Sequence, residues 1–172
     1  MSKLEIKKYP DPILRKKCEE VKEITPEIRK LIEEMVLTMG KDKGVGLAAP
    51  QVGISKKIIV FETGEGVTAL INPKILKRGK KQFKDQEGCL SFPGIWIKIR
   101  RPEKIEVEAL DITGRKIGLA ASMMASRVLQ HEIDHLNGVL FIDKASLIDK
   151  VKIKKQLDVL KKKYSSENKP GK

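Results

Sequence analysis

The sequence predicts an α+β domain in which short, mainly antiparallel strands form small sheets around a central helix. Two observations lead to this fold class. Apolar residues recur at helical spacing near residues 30, 130 and 155, whereas residues 44 to 120 break into brief runs separated by glycine and Asn-Pro turns. At 172 residues, of which 40% are hydrophobic, the chain is long enough to bury one core. We therefore expect a single domain over residues 1–164.

An extended arm and an amphipathic helix are predicted for the start of the chain. Pro10 and Pro12 exclude a regular helix in the arm. Thr25 is a suitable N-cap, Pro26 a suitable first helical residue, and Gly40 a typical stop. Between them, five apolar side chains share one helix face and are expected to join the core: Ile28, Leu31, Ile32, Met35 and Met39.

The middle of the chain is predicted to consist of strands. Its apolar runs are strand-sized, and the intervals between them are too short for the crossovers that parallel strands require. Antiparallel pairing is therefore expected. The predicted strands are Lys57–Glu62, Thr68–Ile71, Ile75–Arg78, Ile95–Arg100, Lys104–Asp111 and Lys116–Leu119.

Two further helices are predicted after the strands. The helix expected over residues 121–138 is apolar around much of its circumference, so we place it in the interior. A basic C-terminal helix is expected over residues 145–164, with a capping pattern at Ser146, and residues 165–172 are expected to form a flexible tail. The apolar stripe predicted for this last helix is Leu147, Val151, Leu157, Leu160 and Tyr164.

The formal net charge of +13 leaves two interpretations open. Ten lysines but only three acids follow Asp143, which favours a polyanionic partner such as RNA. A solvated, lysine-rich surface is an equal alternative, because this tract contains lysine rather than arginine.

The cell compartment is predicted from what the chain lacks. No run approaches the roughly 18 apolar residues that a membrane span requires, and the first residues contain no hydrophobic signal segment. The two cysteines, Cys18 and Cys89, form no disulfide framework. We therefore expect a cytoplasmic protein without a membrane partner.

The only two histidines, His131 and His135, are four residues apart on the predicted interior helix. Side chains at this spacing project from one helix face and can bind one metal ion, and the adjacent Glu132 can act on a bound water. A surface helix that happens to carry two histidines is the alternative. A catalytic site usually takes a third protein ligand, which here has to be Cys, Asp or Glu. Cys89 is the strongest candidate because a thiolate binds such metals well.

Three segments of the chain strongly resemble peptide deformylases, which remove the N-formyl group from new proteins. They are Gly44–Gly53, Glu87–Ser91 and Gln130–Gly138, in the family's order and spacing. The resemblance implies that Cys89, His131 and His135 hold the metal. In this family the metal is typically Fe²⁺, one per chain, and Zn²⁺, Ni²⁺ or Co²⁺ can substitute.

The resemblance also implies catalytic roles. A metal-bound hydroxide would attack the formyl carbon, and Glu132 would serve as general base and then as general acid. The Gln51 side-chain amide and the Leu90 N–H would stabilise the oxyanion. Formate would be released from the N-terminal formyl-methionine of nascent peptides.

Substrate binding and support of the site follow from the same resemblance. Gly44, Val45 and Gly46 would line the cleft with backbone groups, next to Gly88, and Val128 would form part of the wall that receives the methionine side chain. Two further residues, Glu87 and Arg101, match a buried pair that steadies the cysteine loop. Separately from the resemblance, the lysine face of the basic C-terminal helix leads us to expect that this helix aids docking at the ribosome.

The chain departs from the family pattern at two places. Residues 123–127 read Met-Met-Ala-Ser-Arg, where the family usually begins with glycine. Trp96 replaces a polar or basic residue of several members; core packing is its expected use, and a platform at the cleft edge is the alternative. Both departures affect the shape of the pocket and leave the ligands intact.

Two other functions fit parts of the sequence. A zinc metallopeptidase also uses His-Glu-x-x-His, but such enzymes usually take a third ligand from a downstream Glu or His. A metal-stabilised protein that binds RNA or the ribosome would account for the basic terminal helix without catalysis.

Overall fold

The computed structural model describes residues 2–167. Within this range the chain forms three α-helices and seven strands, joined partly by short 3₁₀ turns at Pro12–Arg15, Ala49–Val52 and Phe141–Lys144. The α+β prediction is confirmed. The helices are α1 (Pro26–Lys41), α2 (Met123–Leu136) and α3 (Leu147–Glu167). The strands are β1 (Gly46–Ala48), β2 (Ile58–Thr63), β3 (Gly66–Arg78), β4 (Gln82–Glu87), β5 (Ile97–Pro102), β6 (Lys104–Leu110) and β7 (Lys116–Ser122).

The strands form a five-stranded sheet and a two-stranded ribbon. The sheet has the order β1-β2-β3-β6-β7, the ribbon pairs β4 with β5, and every pairing is antiparallel. Strand β4 ends just before the loop that contains Cys89, and β5 begins just after this loop. The predicted antiparallel pairing is therefore confirmed.

The strand boundaries differ from prediction at the Asn-Pro turn. Residues predicted as two strands form one strand, β3, which bulges where Asn72 adopts a φ of 52° and the pairing with β6 shifts. The Asn72 side chain exchanges two hydrogen bonds with the backbone of Val21, at 2.8 and 2.9 Å. Asn-Pro thus produces a bulge that fastens the N-terminal arm, and the strand continues through it.

Two strands were not predicted from the sequence. Strand β1 has only three residues, and β4 has a single apolar residue, Phe83, among its six. The strand expected at Ile95–Arg100 instead runs from Ile97 to Pro102. Hydrophobic alternation fails here because the inward positions of β4 include Asp85 and Glu87.

Helix α2 lies in the interior, as predicted. Its apolar side packs against one face of the five-stranded sheet, and α1 packs against the other face. The α2 core includes Leu129, Ile133 and Leu136, and the α1 core includes Met35 and Met39. The central helix is therefore held firmly on the side opposite its functional residues.

Helix α3 covers a third core beside the ribbon. Ile153 is buried, and Leu157 and Leu160 pack against the same core. The predicted stripe is wrong at Leu147 and Val151, which are 81% and 74% exposed. These two side chains lie on one face of α3, and the core is contacted by another face, which carries Ile153.

Two boundaries qualify the domain prediction. Helix α3 extends to Glu167, three residues beyond its predicted end, and the remainder of the predicted tail, 168–172, lies outside the described residues. A single domain over residues 1–164 stays a prediction. Within residues 2–167, none of the helices combines the length and the apolar character that crossing a bilayer demands.

Candidate metal centre

Helix α2 presents His131, Glu132 and His135 on one side of a cleft. All three are buried, with residue exposures of 8%, 5% and 1%. The two imidazole rings are 5.0 Å apart between centroids and inclined at 71°, as expected for side chains one helical turn apart. The rigid, packed helix therefore fixes the separation of the two rings.

Cys89 approaches these rings from the loop after β4. Its Sγ lies 3.3 Å from Nε2 of His135. One donor atom from each of Cys89, His131 and His135 falls within 4.8 Å of the others, and this is the one such group of His, Cys, Asp or Glu found in the described part of the chain. The structure thus brings together the three residues for which the sequence predicted metal binding.

A buried carboxylate orients His131. Glu87 accepts a hydrogen bond from Nδ1 of His131 at 3.0 Å, so Nε2 of that ring is left to face the cysteine. Arg101 holds the same carboxylate with two bonds, of 2.6 and 2.9 Å, and Nη1 of Arg127 donates to it as well. The side chains of Glu87, Arg101 and Arg127 are at most 4% exposed. Two arginines and one imidazole therefore fix a single buried carboxylate.

The charges of the site reflect burial and these contacts. Burial disfavours ionised Glu87, yet the bonds from His131 and Arg101 outweigh it and lower the pKa of Glu87 to about 2. Burial, reinforced by the nearby charges of His131 and Arg101, holds the pKa of His135 well below its ordinary value. Neutral imidazole is the form that binds a metal.

Burial and neighbouring charges also shift the pKa values of His131 and Glu132. Burial lowers the pKa of His131, but the interactions with Cys89 and Glu87 are stronger together and raise it to about 10. Burial raises the pKa of Glu132 to about 7, against the opposing charges of His131 and Arg101.

Gln51 is held with its amide nitrogen directed at the same sulfur. It lies in the 3₁₀ turn after β1, where its Oε1 accepts a hydrogen bond from the Ala48 N–H at 2.8 Å. This bond fixes which end of the amide is the donor. Nε2 then lies 3.4 Å from Sγ of Cys89 and 3.2 Å from Oγ of Ser91. The local turn thus aims an N–H group into the candidate site.

Glu132 packs against Gly46 of β1. A Cβ added to Gly46 would lie 2.9 Å from Cδ of Glu132 and nearer still to its Oε1. The other carboxylate oxygen, Oε2, is buried and has no hydrogen-bond partner among the described residues. The absence of a side chain at Gly46 therefore leaves space for the Glu132 carboxylate, whose Oε2 is free to accept a hydrogen bond or a proton.

A cavity of about 600 Å³ opens in front of these residues. This volume suits a small ligand or the end of a peptide. The sequence-predicted cleft residues Gly44, Val45, Gly46, Gly88 and Val128 all line it, together with Gln51, Glu87, Cys89, Leu90, His131 and Glu132. His135 and Arg101 lie behind the wall, in contact with Cys89 and Glu87 respectively.

Trp96 also lines this cavity, which corrects the expectation of core packing. The residue is 62% exposed, and its ring lies across Gly88, where an added Cβ would meet three ring atoms at 2.8 Å each. Trp96 follows a tight turn and directly precedes β5, so the outward phase of the strand carries it to the cleft mouth. The alternative of a platform at the cleft edge is the one that the exposure favours.

Arg127 and Asp134 were not predicted as site residues. Arg127 donates to Glu87, and Asp134 accepts a 2.7 Å bond from Arg101. Their positions, four residues before and three after His131, place them within one helical turn of a ligand. This spacing from His131 could have indicated both residues as neighbours of the site. Their partners, Glu87 and Arg101, lie on strands that are distant in sequence, so the contacts themselves could not be predicted. Asp134 is bound to Arg101 and is not part of the Cys-His-His donor group.

The donor set fits a transition-metal ion. One thiolate and two imidazoles are the ligands preferred by borderline divalent cations, and three protein donors leave a position for water or substrate. The hydrogen bond from His131 to Glu87 is the support usually found behind a ligating imidazole. The residues present are therefore suited to a catalytic metal site of the open kind.

Comparison with known proteins agrees with this geometry. The family model for polypeptide deformylase matches residues 3–151. The peptide deformylase of Thermodesulfovibrio yellowstonii is 43% identical over 166 residues, covering 94% of this chain and 100% of the relative. The chloroplastic peptide deformylase 1B of Oryza sativa is 42% identical over 94% of this chain, which spans 62% of that longer relative.

The fold is also similar to solved structures of peptide deformylases. A plant peptide deformylase, PDF1B, has a TM-score of 0.94 at 40% identity, over 98% of this chain and 94% of its own. Peptide deformylase from Plasmodium falciparum has a TM-score of 0.93 at 41% identity, over 96% and 100%. With a Cys-His-His donor group inside the matched region, and a relative 43% identical over 94% of this chain and 100% of its own, the chain belongs to the polypeptide deformylase family.

Proposed function

We propose that this chain, a metal-dependent hydrolase that removes the N-formyl group from nascent peptides, uses Glu132 to move the proton and Gln51 and Leu90 to bind the oxyanion. One observation carries the proposal. The buried carboxylate of Glu132, the amide of Gln51 and the Cys-His-His group all line or border one cavity of about 600 Å³.

Cys89, His131 and His135 would hold the metal ion. Fe²⁺, one per chain, is the proposed ion, with Zn²⁺, Ni²⁺ or Co²⁺ able to substitute, since the mixed sulfur and nitrogen donors suit all four. When bound, such a cation polarises a carbonyl and lowers the pKa of a coordinated water. Metal analysis of protein purified without oxygen tests this assignment, and zinc with no iron under those conditions would overturn the choice of Fe²⁺.

Glu132 would carry the proton. Its unpartnered Oε2 can accept a proton from the attacking water as the new carbon–oxygen bond forms. The same carboxyl can then give that proton to the amine nitrogen as the carbon–nitrogen bond breaks, so formate and a free N-terminus leave. Packing against Gly46 restricts the carboxyl to the cleft side of the helix.

Gln51 and Leu90 would stabilise the negative charge on the formyl oxygen. The Ala48 N–H fixes the Gln51 amide so that its donor end is directed at the sulfur. The Leu90 N–H, one residue beyond Cys89, donates to no other group in the described range 2–167. Two preorganised donors in a water-poor cleft are the usual means of stabilising such an oxyanion.

The peptide would bind along the glycine-rich edge of the cleft. Gly44, Val45 and Gly46 offer backbone groups, and Gly88 faces them across the cavity, so that recognition depends little on the peptide's side chains. The methionine side chain would contact Val128, which is only 8% exposed and belongs to the α2 core. Glu87 and Arg101 would keep the cysteine loop in place.

A formate-release assay on formyl-methionyl peptides tests the proposed function. The Glu132→Gln variant keeps the size of the side chain and should lose nearly all activity while still binding metal. Gly118→Ala is a matched control, because nothing lies within 4 Å of the added Cβ. Cleavage of internal peptide bonds without formate release would instead indicate a metallopeptidase and refute the proposal.

Docking at the ribosome through the basic helix α3, with a cytoplasmic location, completes the proposal. The seven lysines of α3 are all exposed, while Ile153 anchors the helix to the core. Replacing Lys161, Lys162 and Lys163 with glutamine should weaken co-sedimentation with ribosomes, most clearly at low salt. Unchanged co-sedimentation would refute docking without affecting the catalytic proposal.

A further inference from the structure

The outer face of the β4–β5 ribbon is a cationic surface beside the cleft. Along β5 the side chains of Lys98 and Arg100 are exposed, whereas Ile97, Ile99 and Arg101 are buried. In the ribbon register, Lys84 is paired with Arg100 and Gln86 with Lys98. Of the residues on these two strands, the outer face carries three cations and no acid, because Asp85 and Glu87 have the opposite phase.

The charges on this face are poorly neutralised within the protein. Lys84 and Arg100 are directly opposite each other, and like charges at such a position destabilise a sheet. Among the described residues, Lys98 and Arg100 form no ion pair, and Lys84 has only a distant one, 3.9 Å from Asp149. Asp149 is therefore the one carboxylate in residues 2–167 within ion-pairing distance of these three cations.

Trp96 extends this surface to the cleft mouth. It precedes Lys98 by two residues, so the indole, the ammonium and the guanidinium of Arg100 follow one another along one side of the strand. One face of the indole is covered by Gly88, and the residue is still 62% exposed. A flat aromatic group with a free face next to a row of cations is the arrangement that binds bases and phosphates of a single strand.

We propose that Trp96, Lys98, Arg100 and Lys84 form a binding surface for single-stranded RNA. The indole would stack on one base, and the three cations would contact successive phosphates. An acidic segment of the peptide substrate is the other polyanion that could lie here. RNA is favoured because every nucleotide carries a negatively charged phosphate and a base that can stack on the indole. An acidic peptide offers only isolated carboxylates, and exposed pairs of carboxylate and lysine bind weakly.

The single tryptophan makes the proposal directly measurable. A short oligoadenylate should quench the tryptophan fluorescence of the full-length protein, which comes from Trp96 alone. With labelled oligoadenylate, Trp96→Leu should weaken binding by about 5- to 150-fold through loss of one stacked base. The double variant Lys98→Gln/Arg100→Gln should reduce the slope of log affinity against log salt by about 1.4.

The control is the double variant Lys22→Gln/Lys30→Gln, which removes the same charge from exposed positions elsewhere. It should keep the affinity and the quenching, and Lys98→Gln/Arg100→Gln should keep formate release from a short formyl-peptide. Equal loss of binding in both double variants would overturn the proposal, as would the absence of quenching by oligoadenylate. Quenching by an aspartate-rich formyl-peptide alone, dependent on Lys98 and Arg100, would assign the surface to the substrate and overturn it too.

Discussion

Replacing Gly46 with alanine should impair catalysis by displacing Glu132. The added Cβ would lie 2.9 Å from Cδ of Glu132, whereas ordinary contact begins at 3.4 Å, so the carboxyl has to move by roughly half an ångström. Its Oε1, nearer still, has to move further. Since a misplacement of about 1 Å can cost about 100-fold in rate, we expect kcat/KM for a formyl-methionyl peptide to fall by about 10- to 100-fold.

The assay is formate release under steady-state conditions, with metal content measured on the same samples. Gly46→Ala should keep its metal, because no metal-binding side chain is among the three nearest atoms to the added Cβ. Gly40→Ala, with nothing within 4 Å of its Cβ, should behave as the unaltered protein. Full activity of Gly46→Ala would refute the inference that the Glu132 carboxyl has to stay where Gly46 leaves room for it.

Three further changes have distinct expected outcomes. Gln51→Glu keeps the acceptor for the Ala48 N–H but removes the donor, so kcat should fall by about 100- to 1000-fold in the same assay; a fall in apparent substrate affinity alone would contradict the oxyanion role. Glu87→Gln removes the buried charge behind His131 and should weaken metal affinity by about 10- to 100-fold in a chelator competition, and unchanged affinity would count against that support. Met123→Gly should raise the free energy of unfolding by about 1 kcal/mol in urea denaturation, because Met123 has a φ of 52° and is half exposed; equal or lower stability would argue against backbone strain there.

The local parts of the site could be predicted from the sequence. The four-residue spacing of His131 and His135 fixes a shared helix face, and the composition around them places the helix inside. The preference of a divalent metal for sulfur singled out Cys89, which the structure brings within 3.3 Å of His135. These conclusions depend on helix geometry and donor chemistry, both of which are local properties.

The parts that failed depend on contacts between distant segments. Arg127 acquires its role only because β4 delivers Glu87 to the side of α2, a pairing that no local pattern specifies. Trp96 is exposed because it crosses Gly88 at the cleft mouth, although its residue type suggested the core. Leu147 and Val151 are spaced by one helical turn from each other, yet they lie on a different face of α3 from Ile153, which contacts the core.

The ligand set can be tested most directly by X-ray absorption at the metal edge of the zinc-loaded protein. Coordination by Cys89, His131 and His135 predicts one sulfur at about 2.3 Å and two imidazole nitrogens at about 2.0 to 2.1 Å. The sulfur signal should disappear in Cys89→Asp, while the imidazole signals persist. A shell of nitrogen and oxygen alone in the unaltered protein would contradict the account.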